Sequence, residues 1–335
     1  MQKTIFVVDD SLSNLSLAEE ALENDYRVIT LSSAEKMYKT LEKLVPDLIL
    51  LDIAMPDESG FDAMKKLKSN KAHADIPVIF LTALTDTFNE ALGIELGAID
   101  FITKPFSEAV LLNRVRNHIQ IDELVQKRTE QLTSMKDSIV LTMSSLVESR
   151  DICTGGHIER TTKFLKTLLT AMVEQGVYVD EIEEWDIDSF VSSARLHDVG
   201  KIYVADTILN KPGALTATEF ESVTTHPAEG EKIIDQMIKQ TGDMEFLHSA
   251  KLVAAYHHER WDGSGYPYGL AGTEIPLPGR LMAVIDVYDA LVSERPYKSP
   301  MPHEEAVKTI VGESGKHFDP KIVDVFKNVN ERFTL

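Results

Sequence analysis

The chain has 335 residues, 43% hydrophobic and 26% charged, which is enough apolar material for two buried cores joined by a connecting element. A formal net charge of −20 repels nucleic-acid phosphates, so an extended nucleic-acid surface is not expected; a small phosphate ligand stays open, because a metal cluster and a few cations can reverse a local field. There is no apolar run of roughly 18 residues, the start Met1-Gln2-Lys3-Thr4 lacks a signal-peptide pattern, and the single Cys153 cannot close an intrachain disulfide, so a cytoplasmic chain with no membrane partner is expected.

Residues 1–105 alternate between strand-like and helix-like patterns. Apolar, β-branched runs occupy Thr4–Val8, Tyr26–Leu31, Asp47–Leu51, Pro77–Leu81 and Ile99–Thr103. Helical patterns lie between them at Leu12–Glu23, Ala34–Leu44, Gly60–Ser69 and Asn89–Leu96. Short continuous apolar strands alternating with helices predict a five-stranded parallel sheet covered on both faces, an α/β doubly wound domain over about residues 1–120.

From Ser107 to Arg150 the strand signal stops. Val125, Leu132, Ile139 and Leu146 recur every seven residues, with Ile121 and Met135 on the same stripe and Arg128 and Thr142 interrupting it. Two readings fit this long linker helix, 107–150: a coiled coil that makes a homodimer, or one amphipathic helix lying on its own domain. Beyond it the pattern is helical, around His157–Glu174, Asp188–Leu196, Pro227–Ile238, Ala250–His257, Arg280–Leu291 and Glu304–Val311, with a Gly- and Pro-rich loop between Asp262 and Gly279. An all-α domain over residues 137–335 is the expectation.

Three carboxylates stand where strands of the first domain end: Asp9 and Asp10 after the first, Asp52 after the third. The C-terminal strand ends of an open parallel sheet form its ligand crevice, and carboxylates converging there call for a hard cation such as Mg²⁺. Thr82 and Lys104 end the fourth and fifth strands, and a hydroxyl and an ammonium opposite an aspartate suit a phosphoryl group on it. With Asp52-Ile53-Ala54-Met55-Pro56, Thr82-Ala83 and Phe101-Ile102-Thr103-Lys104-Pro105-Phe106, this part resembles the receiver domain of two-component response regulators. The resemblance implies Asp52 as phosphoacceptor, Mg²⁺ on Asp9, Asp10 and Asp52, and Thr82 and Lys104 on the phosphoryl oxygens. It also implies Phe101 as a switch aromatic, a cis Lys104–Pro105 bond, and a histidine kinase as partner.

In the second half, His157, His197-Asp198, His226, His257-His258 and Asp286 form a set of imidazoles and carboxylates. Five histidines and two aspartates exceed one tetrahedral zinc site and suit two six-coordinate divalent metals sharing a carboxylate, for which Asp198 is the natural bridge. Taken singly, each has a bland reading: a His-Asp pair on the surface, a solvated helix end at His257-His258, a satisfied buried carboxylate at Asp286. Glu148-Ser149-Arg150-Asp151, Thr154-Gly155-Gly156-His157, His197-Asp198-Val199-Gly200-Lys201, His226-Pro227 and the run His257 to Pro267, with Asp286-Val287-Tyr288-Asp289 and Arg295-Pro296-Tyr297-Lys298, resemble the HD-GYP subgroup of the HD phosphohydrolases.

That resemblance implies hydrolysis of cyclic di-GMP to pGpG or GMP, with iron or manganese on His157, His197, Asp198, His226, His257, His258 and Asp286. Asp198 and Lys201 are then catalytic, Lys201 next to the scissile phosphate. Arg295 and Lys298 grip phosphates, and Gly265, Tyr266 and Pro267 border the pocket, where Tyr266 either stacks on a base or packs the loop. Cys153 stands where three-metal members carry a glutamate, which favours two metals. Another cyclic dinucleotide such as cyclic GMP-AMP, or a non-catalytic binding module, are the alternatives.

Overall fold

A computed structural model describes residues 2–83, 87–150, 156–242, 244–294 and 299–333, with only the backbone described for 87–90. Cys153, Arg295 and Lys298 therefore lie outside the described residues. The chain divides into two units, 1–131 and 132–335.

In the first unit the strands are β1 (Thr4–Val8), β2 (Arg27–Leu31), β3 (Leu48–Asp52), β4 (Val78–Thr82) and β5 (Asp100–Thr103), all parallel in the order β2-β1-β3-β4-β5. Helices α1 (Leu12–Leu22), α2 (Ala34–Leu41), α3 (Gly60–Ser69) and α4 (Thr87–Glu95) connect them, and α5 (Glu108–Glu148) follows. Alternate strand residues feed opposite faces of the sheet. Ile5, Val7, Leu48, Leu50, Ile79 and Leu81 pack with α1 and with Leu111, Val115 and Ile119 of α5; Phe6, Val8, Ile49, Leu51 and Phe80 pack with α2 and α3. With both faces covered, the strands need no polar residues, which is why they read as continuous apolar runs.

Most strands begin one residue later than the apolar pattern predicts. The residues at those starts are used otherwise. Asp47 turns its carboxylate to the amide of Thr4 (2.7 Å) and to Lys3 (3.0 Å), and the Tyr26 amide bonds back to Leu22 at the end of α1. Pro77 has no N–H for a ladder but accepts from Ile49.

The second unit is helical: α6 (His157–Glu174), α7 (Val179–Ile182), α8 (Ile187–Ser193), α9 (Asp206–Leu209), α10 (Ala217–Val223), α11 (His226–Thr241), α12 (Glu245–Tyr256), α13 (Leu277–Val292), α14 (His303–Gly312) and α15 (Pro320–Val329). One core gathers α6, α8, α13, α14 and α15 around Phe164, Leu281 and Phe326. A smaller one packs Ile234 of α11 and Phe246 and Ala250 of α12 on Val140 of α5. The segment predicted as one helix over Asp188–Leu196 is instead α8 followed by a 3-10 turn, Ala194–Leu196, and a second 3-10 stretch, Val199–Tyr203, follows. This tighter winding places His197 and Asp198 at a bend between two short helices.

On α5 the heptad positions Val125, Leu132, Ile139 and Leu146 are 49–65% exposed, whereas Val140, Ser144 and Val147 on another face are buried. The stripe is not what α5 uses to pack on its own unit. No helix among the described residues is long and apolar enough to cross a membrane.

Candidate metal centre and receiver site

Four elements of the second unit converge on Asp198. The 3-10 bend supplies His197 and Asp198, the N-terminus of α6 supplies His157, that of α11 supplies His226, and the end of α12 supplies His257 and His258. The approach is enforced by glycine. A Cβ on Gly200 would lie 2.0 Å from the carbonyl oxygen of His226 and 2.5 Å from the amide of Gly230, so only glycine lets the bend sit against α11.

Asp198 faces both ways. Its Oδ1 lies 3.3 Å from Nε2 of His226 and 3.7 Å from Nε2 of His257; its Oδ2 lies 3.4 Å from Nε2 of His197 and 2.6 Å from Nζ of Lys201. His157 joins the second side, its Nε2 3.2 Å from that of His197 and 3.5 Å from Oδ1 of Asp286. His258 completes the first side, with one potential ligand atom each from Asp198, His226, His257 and His258 within 4.8 Å of one another. Six of the seven proposed ligands thus fall in two groups that share the Asp198 carboxylate, and Asp286 approaches them through His157.

The other ring nitrogens decide the chemistry. Nδ1 of His197 donates to the carbonyl of Ala194 (2.9 Å), that of His226 to Val223 (2.7 Å), and that of His257 to Val253 and Ala254 (3.1 and 3.0 Å). A carbonyl only accepts, so these Nδ1 atoms carry a proton and each ring turns its Nε2 toward the centre, the atom that offers a lone pair to a metal. The Nε2 atoms of His226 and His257 stand 3.4 Å apart and both face Oδ1 of Asp198, a spacing that suits a shared cation. The donor set therefore fits divalent metals held by imidazole and carboxylate.

The charges agree. Burial opposes ionisation of Asp198, but Lys201 and His197 outweigh it and hold the carboxyl well below the usual carboxylate range. Burial, with His257 and His226 beside it, pushes His258 well below the ordinary histidine value, and burial also lowers His226. His157 moves the other way: burial opposes its charging, but the bond to Asp289 and the charges of Asp286 and Asp289 hold its value up.

Three supporting residues have no assigned role in the sequence reading. Asp289, fully buried, accepts from Nδ1 of His157 (2.7 Å) and from the Arg160 guanidinium at 2.6 and 3.0 Å. Its spacing of one turn from Asp286 on α13 was the available signal. Glu259, also buried, accepts the amides of Tyr268 (2.7 Å), Gly269 (3.2 Å) and Leu270 (3.0 Å), which pins the Gly-Tyr-Pro loop beside the centre. Within that loop a Cβ on Gly265 would strike the Arg260 amide at 2.3 Å. Tyr266, next to Pro267, stacks on His258 with ring centroids 4.8 Å apart.

In the first unit Asp9 and Asp52 are buried, Asp10 is exposed, and one carboxylate oxygen from each comes within 4.8 Å of the others. Lys104 bridges two of them, its Nζ 2.7 Å from Asp9 Oδ2 and 2.7 Å from Asp52 Oδ1. Thr82 is buried at the end of β4, and the Lys104–Pro105 bond is cis. Phe101 stacks on Phe80 at 5.7 Å, in space left by Gly93, where a Cβ would lie 2.5 Å from the Phe101 ring.

A family model described as "HD domain" matches residues 122–322, and one described as "Response regulator receiver domain" matches residues 5–116. The chain is 40% identical to a Vibrio cholerae protein named a probable cyclic di-GMP phosphodiesterase, over 99% of this chain and 79% of that protein. It is 31% identical to the cyclic di-GMP phosphodiesterase response regulator RpfG of Xanthomonas campestris, over 96% of this chain and 86% of that one. A 3'3'-cGAMP-specific phosphodiesterase 2 of Vibrio cholerae is 34% identical over 58% of this chain and 35% of its own length.

Proposed function

The chain belongs to the response regulators that join a receiver domain to an HD domain, and from that premise we propose that it hydrolyses cyclic di-GMP at a two-metal centre under control of phosphorylation at Asp52. The observation that carries the reading is Asp198, one carboxylate with His226 and His257 at one oxygen and His197 at the other. Iron or manganese suits this imidazole and carboxylate set, with His157 and Asp286 on one side and His258 on the other.

A pair of such metals, when bound, supplies Lewis-acid stabilisation of phosphoryl charge and makes water easier to ionise. The protein's own groups do the rest. Asp198 stays ionised, and the Nδ1 bonds to backbone carbonyls orient the imidazoles so that Nε2 faces the centre. The Lys201 ammonium, 2.6 Å from Asp198, stands where it can donate to a phosphoryl or leaving oxygen as charge develops. Arg295 and Lys298 are proposed to grip the substrate phosphates, one as a fork and one as a point charge. The Gly265–Pro267 loop borders the pocket, and the stacking of Tyr266 on His258 makes that ring a wall next to the metals.

Cyclic GMP-AMP is a second reading, supported by the cGAMP-specific relative; the relatives that span nearly all of this chain carry cyclic di-GMP names and set the order. In the receiver, Mg²⁺ on Asp9, Asp10 and Asp52 and a histidine kinase as phosphate donor complete the proposal, in a cytoplasmic setting. The exposed Val125–Leu146 stripe is proposed to be covered by a second copy of the chain. The test is turnover by protein purified anaerobically with iron or manganese, with products separated by chromatography. Metal-dependent pGpG or GMP is expected. Cleavage of cyclic GMP-AMP alone would move the substrate, and no cleavage of either would leave a binding module.

A further inference from the structure

The end of α5 is built into the metal centre. Ser144, Val147 and Glu148 line one side of a small cleft whose other side is His157, His197 and Asp198. Three side chains on and just after these turns bond to the segments that carry the ligands. Ser144 Oγ donates to the carbonyl of Arg195 (2.9 Å), two residues before His197. Arg150 donates to the carbonyls of Ile202 (2.8 Å) and Val204 (2.9 Å), just beyond Lys201. Glu148 Oε1 accepts the backbone N–H of His157 at 2.9 Å.

The last of these bonds has a physical reason. His157 opens α6, and the first amides of a helix have no acceptor inside it. A cap side chain reaches only the second or third of these amides, and here the cap is Gly156, with φ +77° and no side chain, so the His157 amide at the first position takes its acceptor from elsewhere. Glu148 supplies the missing acceptor from α5, and its negative charge sits at the positive end of the α6 dipole. The amide it fixes belongs to a residue whose ring is aimed at His197 and Asp286.

We propose that Glu148 is a positioning residue of the metal centre: through its bond to the His157 amide, α5 sets where the first ligand of α6 stands. The inference rests on the reading of His157 as a ligand. It asks nothing of the substrate.

The test uses the full chain, stripped of metal and reloaded anaerobically with Mn²⁺, with metal per chain counted by mass spectrometry and titrated for affinity. Glu148→Ala is expected to bind Mn²⁺ about 10- to 100-fold more weakly at the His157 side, the loss typical of a removed ligand-supporting partner, with kcat down by a similar factor. Glu148→Gln, whose amide oxygen still accepts an N–H, is expected to recover most of both. Wild-type Mn²⁺ affinity in the alanine variant would overturn the proposal, and so would equal loss in the glutamine variant while its metal-free melting matches wild type. Because Mn²⁺ is counted without substrate, a protein silent on cyclic di-GMP would still decide the role of Glu148.

Discussion

Nδ1 of His157 lies 2.7 Å from Oδ2 of Asp289, and that contact fixes which edge of the imidazole faces His197. Asp289 is in turn locked by Arg160, so one chain of contacts runs from a guanidinium on α6 to a buried carboxylate on α13 and back to His157 on α6. Asp289→Asn keeps the shape and removes the charge that holds the ring. The expected result is metal affinity lower by about 10- to 100-fold, with turnover following it, as for other partners of ligand histidines. Titration with Mn²⁺ checks it; unchanged affinity would mean that Asp289 only fills space.

Lys201 separates chemistry from metal binding. It touches Asp198 but offers no lone pair to a cation while protonated. Lys201→Met is expected to keep the metal content of the wild type and to lower kcat by about 100- to 1,000-fold, the scale seen when one donor to a developing oxyanion is lost. Metal content and single-turnover rates on the same preparation separate the two effects. A variant that turns over normally would remove Lys201 from the reaction.

Gly200→Ala tests the close approach beneath the centre. The new methyl would meet backbone, the His226 carbonyl and the Gly230 amide, neither of which can swing aside as a side chain would. A destabilisation of about 1–3 kcal/mol is expected from overpacking, together with weakened metal binding as Asp198 moves from His226. Urea midpoints and Mn²⁺ titration would show both; a stable, fully loaded variant would contradict the packing described.

Acid should destabilise the metal-free protein. Burial holds His226, His258 and His317 below the ordinary histidine value of 6.5, His317 down to about 4, so the unfolded chain takes up protons that these folded sites refuse. Stability then falls as the pH drops from 6.5 toward 4. His157, held above 6.5, works in the opposite direction: its contribution is full below that value and lost as the pH rises through its folded pKa. Three groups oppose one, so the melting temperature of chelated protein is expected to fall between pH 7 and 4. A rise over that range would overturn this balance.

The receiver half was legible because its signals are local. Strands buried on both faces read as apolar runs, and Asp9, Asp52, Thr82 and Lys104 stand at or just beyond strand ends where a parallel sheet opens its crevice. The histidines that cluster around Asp198 were legible as a set, from residue type and motif. What supports them was not. Asp289, Glu259 and Arg160 are charged residues that look like surface until partners 9 to 132 positions away in the chain are known. The same holds for Arg280 and Asp319, a buried pair 2.8 Å apart that ties α13 to α15. Helices α7, α9 and α10 span only 4 to 7 residues, too few for an apolar period to repeat, and α10 is marked instead by the capping box of Thr216 and Glu219. The exposed stripe on α5 shows the converse: a heptad readable in sequence can belong to no core of its own chain.

The central claim is that Asp198 joins two metal positions, and counting metal tests it most directly. Wild-type protein and Asp198→Ala would be loaded anaerobically with Mn²⁺ or iron, desalted, and analysed for metal per chain alongside circular dichroism to confirm folding. The account predicts two metals per wild-type chain and the loss of both from a folded Asp198→Ala protein, because each group of histidines depends on one of its oxygens. A folded variant that still holds two metals, or a wild type that never exceeds one, would contradict it.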